Sequence, residues 1–223
     1  MINYSAVREN MIESQVRPNG ITDRAIIDAM SSVPRELFVP EAMRSLAYMD
    51  EDVPMTKGVD GRQRYLMEPM AFARLLQSAA IKPDDAVLDV GCGSGYSSAV
   101  LSKMAQLVVA IESDATMAAA ADDNLLRLQA SNVAVFNSAL KEGHKSEAPF
   151  NVIIINGRVE EVPETLFEQL AEKGRLVAIM GTTDNAKAMV YIKTDGVVAG
   201  QFAFDASVSP LPGFEKASPG FVF

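Results

Sequence analysis

The segment Asp89-Val90-Gly91-Cys92-Gly93-Ser94-Gly95 sets three glycines at alternate positions directly after a short apolar run, Ala86-Val87-Leu88-Asp89-Val90. Glycine lets backbone approach a ligand where a Cβ would intrude, and doubly wound sheets bind ligands at the carboxyl ends of their strands. The dinucleotide pattern is Gly-x-Gly-x-x-Gly. Here the third glycine comes one residue early and Tyr96 follows, so dinucleotide binding is the weaker rival. A P-loop is excluded, because no Gly-Lys-Ser/Thr follows. The next apolar run ends in Ile111-Glu112, and a carboxylate about 20 residues beyond the glycines suits the two hydroxyls of a ribose. Asp89 adds negative charge that would repel a phosphate and tolerate an ammonium or a sulfonium. Together these features fit an adenosyl ligand without phosphates; a glycine-rich turn that holds nothing is the bland alternative.

The elements that must position this loop follow from periodicity and punctuation. Asn3 can cap a helix running toward Val16 and stopped by Pro18-Asn19-Gly20. Thr22 and Asp23 can cap a second helix with Ile26, Ile27 and Met30 as its apolar stripe, ending before Pro34. Residues 46–64 show no period and read as a long loop of the kind that forms lids or binding segments. A third helix follows Pro69, with Phe72, Leu75 and Leu76 on one face. From residue 86, apolar runs at 86–90, 107–111, 133–136, 152–155 and 176–180 alternate with helical segments at 97–104, 115–129 and 164–172. Apolar strands separated by helices predict an α/β fold, a mostly parallel sheet wound on both faces. The tail departs from this: 188–192 and 197–204 flank Thr194-Asp195-Gly196, a hairpin signal that brings the last strand in antiparallel. The helical first third (residues 1–80) then packs as an N-terminal appendage on a core of residues 81–223.

Composition bounds the partners. The chain has 223 residues and a net charge of −9, without any block of Lys or Arg, so neither nucleic acid nor an anionic membrane is expected to bind it. One Cys and one His make a zinc site improbable, and no metal site is expected. The first residues lack the apolar stretch of a signal peptide, and no run approaches the roughly 18 apolar residues of a spanning helix. A cytoplasmic protein is expected. Cys92 reads as a small residue in a tight turn, His144 as a solvated loop residue, Asp50-Glu51-Asp52 as a solvated loop, and Tyr48 as packing for residues 46–64.

The spacing Asp89-x-Gly91-x-Gly93-x-Gly95 resembles motif I of S-adenosylmethionine-dependent methyltransferases. Further segments narrow the likeness. Val33-Pro34-Arg35-Glu36-Leu37-Phe38-Val39-Pro40, Ala47-Tyr48 with Asp50, Pro54-Met55, Pro149-Phe150-Asn151-Val152-Ile153-Ile154 and Leu170 through Gly174-Arg175-Leu176-Val177 resemble, in order, segments of protein-L-isoaspartate O-methyltransferases. The resemblance implies a Rossmann-like methyltransferase sheet of seven strands with an antiparallel last strand. It also implies S-adenosyl-L-methionine as cofactor and a peptide or protein carboxylate as substrate, methylated for repair. On the cofactor side it points to Asp89, Gly91, Gly93, Gly95, Glu112, Ser113, Ala139 and Leu140. On the acceptor side the family's Gln-Thr-Ile-Ser-Gln-Pro aligns with Arg64-Tyr65-Leu66-Met67-Glu68-Pro69, which makes Arg64, Tyr65 and Met67 the candidate catalytic set.

The departures sit on that acceptor side and in two loops. Met67 stands for the serine and cannot donate a hydrogen bond, Tyr65 keeps a hydroxyl on a longer arm, and Arg64 could clamp a carboxylate bidentately. Ser138-Ala139-Leu140 replaces Gly-Asp-Gly, and Asn156-Gly157-Arg158 replaces Thr-Ala-Ala. Three alternatives therefore stay open: the same cofactor with another acceptor, a cofactor-binding module without turnover, and a fold that binds nothing.

Overall fold

The computed structural model describes residues 2–58, 60–183 and 185–216. Its first helix, α1 (Tyr4–Met11), is capped by the Asn3 side chain, widens into a π turn over Ile12–Val16, and stops at Gly20, where φ is +78°. Asp23 caps α2 (Arg24–Ser32), which buries Ile26, Ile27, Ala29 and Met30. Short 3-10 turns at Arg35–Phe38 and Glu41–Leu46 lead to two strands, β1 (Val53–Lys57) and β2 (Gln63–Leu66), paired antiparallel. These strands correct the expectation of an unstructured loop over 46–64. Their sequence alternates poorly because only Val53 and Arg64 are buried in them. Helix α3 (Pro69–Ala79) then starts at Pro69 as expected and buries Phe72, Leu75 and Leu76.

The rest is one seven-stranded sheet. Its first strands are β3 (Ala86–Val90), β4 (Leu107–Glu112), β5 (Val133–Asn137), β6 (Phe150–Val159) and β7 (Leu170–Met180), all parallel to one another. The connecting helices are α4 (Tyr96–Leu101), α5 (Ala115–Arg127) and α6 (Glu164–Glu168). The last is shorter than the 164–172 reading, because Leu170 begins β7. Strands β8 (Ala186–Thr194) and β9 (Val197–Ala206) add an antiparallel hairpin, and its turn residues Asp195 and Gly196 both have positive φ (52° and 76°), the two-residue geometry that matches strand twist. The order β5-β4-β3-β6-β7-β8-β9 agrees with the expected seven-stranded, mostly parallel sheet closed by antiparallel strands.

Strand order reverses between β3 and β6. At such a switch point the connections after the two strands leave in opposite directions and a crevice opens at the strands' carboxyl ends. The central strands are buried on both faces, as their near-continuous apolar sequence requires. One face shares a continuous core with α1, α2 and α3, through residues such as Met11, Ile26, Phe72, Val87 and Val177. The N-terminal helices thus pack directly on the sheet. Among the described residues no helix is long and apolar enough to cross a membrane, and no group of three or more His, Cys, Asp or Glu side chains could hold a metal ion.

Candidate active site

Asp89, the last-but-one residue of β3, is fully buried. Its Oδ2 accepts hydrogen bonds from the hydroxyls of Ser97 and Ser98 at 2.7 and 2.5 Å, and Asn156 donates to its Oδ1. Burial raises its pKa while these donors pull it down. With both oxygens committed inside the protein, Asp89 anchors the glycine loop to α4 and to the end of β6 rather than facing a ligand. This differs from its reading as a ligand-facing charge.

The loop itself is built on left-handed backbone: φ is +75° at Gly91, +57° at Gly93 and +95° at Gly95. The three glycines serve different ends. A Cβ on Gly93 would meet nothing within 4 Å, so this is the open surface of the cradle. A Cβ on Gly95 would lie 3.2 Å from the Ala121 backbone, so this glycine lets α4 pack on α5. A Cβ on Gly91 would strike the end of the Leu211 side chain at 2.8 Å. Cys92 is buried, which raises its thiol pKa well above the usual value and leaves it inert, as its small-residue reading holds.

Glu112 ends β4 with its carboxylate turned back to the loop, accepting from the backbone N–H of Gly93 at 2.9 Å and of Asp114 at 3.0 Å. Its two oxygens also receive Nη1 and Nη2 of Arg64, both at 2.7 Å, in a buried bidentate pair. The expectation that Arg64 clamps an acceptor carboxylate is corrected here. The side chain is inward on β2 and the nearest buried carboxylate is that of Glu112, so the guanidinium lies on the cofactor side.

The other predicted residues fall into two groups. Ser113, Ala139 and Leu140 line a cavity of about 450 Å³, shared with Arg62, Arg64 and Glu215. Tyr65 and Met67 meet the glycine loop in a small pocket that also touches Gly91, Gly93 and Asn156. Fully buried Arg35 fixes this acceptor segment by donating to the carbonyls of Ala47 and Met67, both at 2.6 Å. Burial lowers its pKa. Tyr65 is 40% exposed and looks into a groove of about 940 Å³ lined by Glu51, Asp52, Glu68, Asp205 and Lys187. Burial, then Asp52, Asp50 and Glu51, push the Glu68 carboxyl up to about 7.

Sequence reasoning missed the segment after β9. Residues 207–216 cross the carboxyl ends of the strands: Arg158 donates its backbone N–H to Ser209, Leu211 donates to Arg158, and Glu160 donates to Phe214. Asp52 accepts from the N–H of Ser209 and Glu68, so it is a structural tie rather than a solvated loop residue. Glu215 pairs with Arg62. Leu211 also lies where a Cβ on Gly157 would meet its Cβ at 2.8 Å, so it sits between the ends of β3 and β6. The only local signal was the punctuation Pro210-Leu211-Pro212-Gly213. Two smaller readings also change or hold. His144 stacks on Phe136 at 3.9 Å instead of being freely solvated, whereas Tyr48 is buried and donates to Glu36, a packing role.

The cradle fits an adenosyl cofactor: an open Gly93, a strand-end carboxylate and an adjoining cavity. Comparisons with known proteins agree. The family profile "Protein-L-isoaspartate(D-aspartate) O-methyltransferase (PCMT)" matches residues 6–211. A protein-L-isoaspartate O-methyltransferase of Koribacter versatilis is 35% identical over 219 residues, covering 98% of this chain and 96% of the relative. A solved protein-L-isoaspartate O-methyltransferase superposes with a TM-score of 0.80 at 25% identity, over 92% of this chain and 66% of that one. A Plasmodium falciparum structure described as the same kind of enzyme, in complex with S-adenosyl-L-homocysteine, shares the fold with a TM-score of 0.76 at 23% identity, over 95% and 99% of the two chains. The chain belongs to the protein-L-isoaspartate O-methyltransferase family.

Proposed function

We propose that this protein transfers a methyl group from S-adenosylmethionine to the isoaspartyl carboxylate of damaged peptides and proteins, the repair reaction of its family. The observation that carries the reading is the meeting of Tyr65 and Met67 with Gly91 and Gly93 in one pocket, which sets the acceptor segment against the cofactor loop. When bound, the cofactor supplies an electrophilic methyl on a sulfonium, which an already ionised carboxylate takes without a general base.

The chain's own residues are left with positioning and exclusion of water. Gly93 offers close backbone approach, Glu112 is the strand-end acceptor for ribose hydroxyls, and Ser113, Ala139 and Leu140 border the adjoining cavity. Tyr65 presents its hydroxyl at the groove, while Met67 contributes apolar surface that keeps the transfer point dry. In this reading residues 1–80 are the acceptor side and 81–223 the cofactor side, and the reaction takes place in the cytoplasm.

The groove also bears on the acceptor. Its carboxylates outnumber its one lysine, so an acceptor that carries several negative charges is disfavoured. The test is transfer of labelled methyl from S-adenosylmethionine to an isoaspartyl peptide, with the aspartyl peptide as control. Labelling of the isoaspartyl form alone supports the reading. Equal labelling of both peptides, or of neither, overturns it.

A further inference from the structure

The groups that should receive the cofactor are already in use. Both oxygens of Glu112 are bonded by the Arg64 fork at 2.7 Å, and that pair is buried. Two neutral hydroxyls cannot displace a guanidinium from a carboxylate while it keeps this geometry, because charge-assisted bidentate bonds are the stronger. At the other end of the crevice, Leu211 lies against the positions of both Gly91 and Gly157, the glycines that follow β3 and interrupt β6. The switch-point crevice is thereby filled by a side chain from residues 207–216.

Both covers are attached from outside the cradle. Arg64 arrives on the β1–β2 hairpin. Leu211 arrives on a strap whose end is tied by the Arg62–Glu215 pair, about half exposed on each side, and by a 3.4 Å bond from Lys141 to the Glu215 carbonyl. Exposed ion pairs of this sort hold weakly, so withdrawal of the strap is opposed mainly by its backbone bonds to Arg158 and Glu160 and by the burial of Leu211 and Phe214. The cavity of about 450 Å³ marks the seam. Ser113, Ala139 and Leu140 line it from the cradle, and Arg62, Arg64, Pro212, Gly213 and Glu215 line it from the hairpin and the strap. Arg64, which lines this cavity, is also the partner of Glu112, so its withdrawal would open the cavity toward that carboxylate.

We propose that Arg64 and Leu211 form an internal plug of the cofactor cradle, so that the protein binds an S-adenosyl ligand only when the hairpin and the strap withdraw together. The inference rests on the cofactor reading above. A protein held mostly closed binds with its intrinsic affinity reduced by the open fraction, and a change that removes the plug restores it.

The probe is S-adenosylhomocysteine, titrated calorimetrically into the full-length wild type, Arg64→Gln and Leu211→Ala. Each variant is expected to bind tighter, by on the order of tenfold if the open state is about a tenth of the population. Hydrogen exchange on the wild type gives a readout that needs no variant. The amides of Arg158, Glu160 and Leu211, bonded across the strap seam, should exchange faster when the ligand is saturating. Equal or weaker affinity in the variants, or unchanged or slower exchange at these amides, overturns the plug while leaving cofactor binding intact. Failure of all three proteins to bind overturns both the plug and the cofactor reading. Should Arg64→Gln fail to fold, Leu211→Ala and the exchange measurement decide.

Discussion

At the carboxyl end of β3 the glycine loop is fastened from beneath, by Asp89 bonded to Ser97, Ser98 and Asn156 and by Glu112 bonded to the Gly93 and Asp114 amides. Above it, β2 and residues 207–216 are held differently. Besides Arg64–Glu112, the strap is held by backbone bonds to Arg158 and Glu160, by buried Leu211 and Phe214, and by Asp52, which bonds Ser209 from a distant loop, while its end adds half-exposed groups such as Arg62 and Glu215. Bonds inside a low-dielectric interior are strong and costly to leave unmade, whereas exposed pairs compete with water. The floor is therefore tied by buried side-chain bonds, whereas the cover is tied mostly through backbone, with exposed pairs at its end.

Breaking the buried ion pair between floor and cover should have the largest effect. Glu112→Ala leaves the Arg64 guanidinium buried without a counter-charge and should cost about 3–5 kcal/mol in urea unfolding. A loss under 1 kcal/mol would mean that water already reaches the pair. Next comes the floor alone: Asp89→Ala strands two serine hydroxyls and removes one of two acceptors of the Asn156 amide, and should cost about 2–3 kcal/mol by the same measurement. If Asp89→Ala proved as mild as a cover substitution, the contrast between the two regions would fail.

Gly93→Ala is gentler. Its φ of +57° disfavours any side chain, yet a Cβ there meets open space, so stability should fall by only about 1–2 kcal/mol. Binding of S-adenosylhomocysteine should suffer much more than folding, because the same space faces the ligand. Equal losses in both would make the glycine a purely structural turn.

The smallest effect is a pH dependence belonging to the cover. Glu68 has its carboxyl raised to about 7 in the folded protein from an ordinary 4.5, so the folded state holds this proton more tightly than the unfolded chain. Stability from this group is therefore gained as pH falls from about 7 toward 4.5 and lost as pH rises through that window. Melting curves should show wild type gaining on Glu68→Gln as the buffer moves from pH 8 to pH 5.5. Parallel curves would mean that the acidic groove leaves Glu68 at its ordinary value.

Strands β3 to β7 were legible because each is a short, near-continuous apolar run, the pattern that burial on both faces demands. The hairpin β8–β9 was legible from Asp195-Gly196, since few residue pairs adopt two successive positive φ values. Helix α6 was overextended because Leu170 to Glu172 suits either state locally, and only pairing with β6 decides for strand. Strands β1 and β2 gave no period because they lie over the ends of other strands instead of on an apolar face. In the site, the glycines and Glu112 were legible as a local spacing. The partner of Arg64 was not, because a bidentate fork serves an acceptor carboxylate as well as a buried glutamate 48 residues away.

By itself, the sequence determined the α/β class, the hairpin close and the position of the cradle, because these depend on backbone propensity and on side-chain period, both of which act over a few neighbouring residues. Only the tertiary structure decided where charge and volume meet. It paired Arg64 with Glu112, turned Asp89 inward to the serines, and laid Leu211 between Gly91 and Gly157. Such matches join residues far apart in the chain, and a buried ion or a filled crevice is favourable only in the geometry that the whole fold imposes.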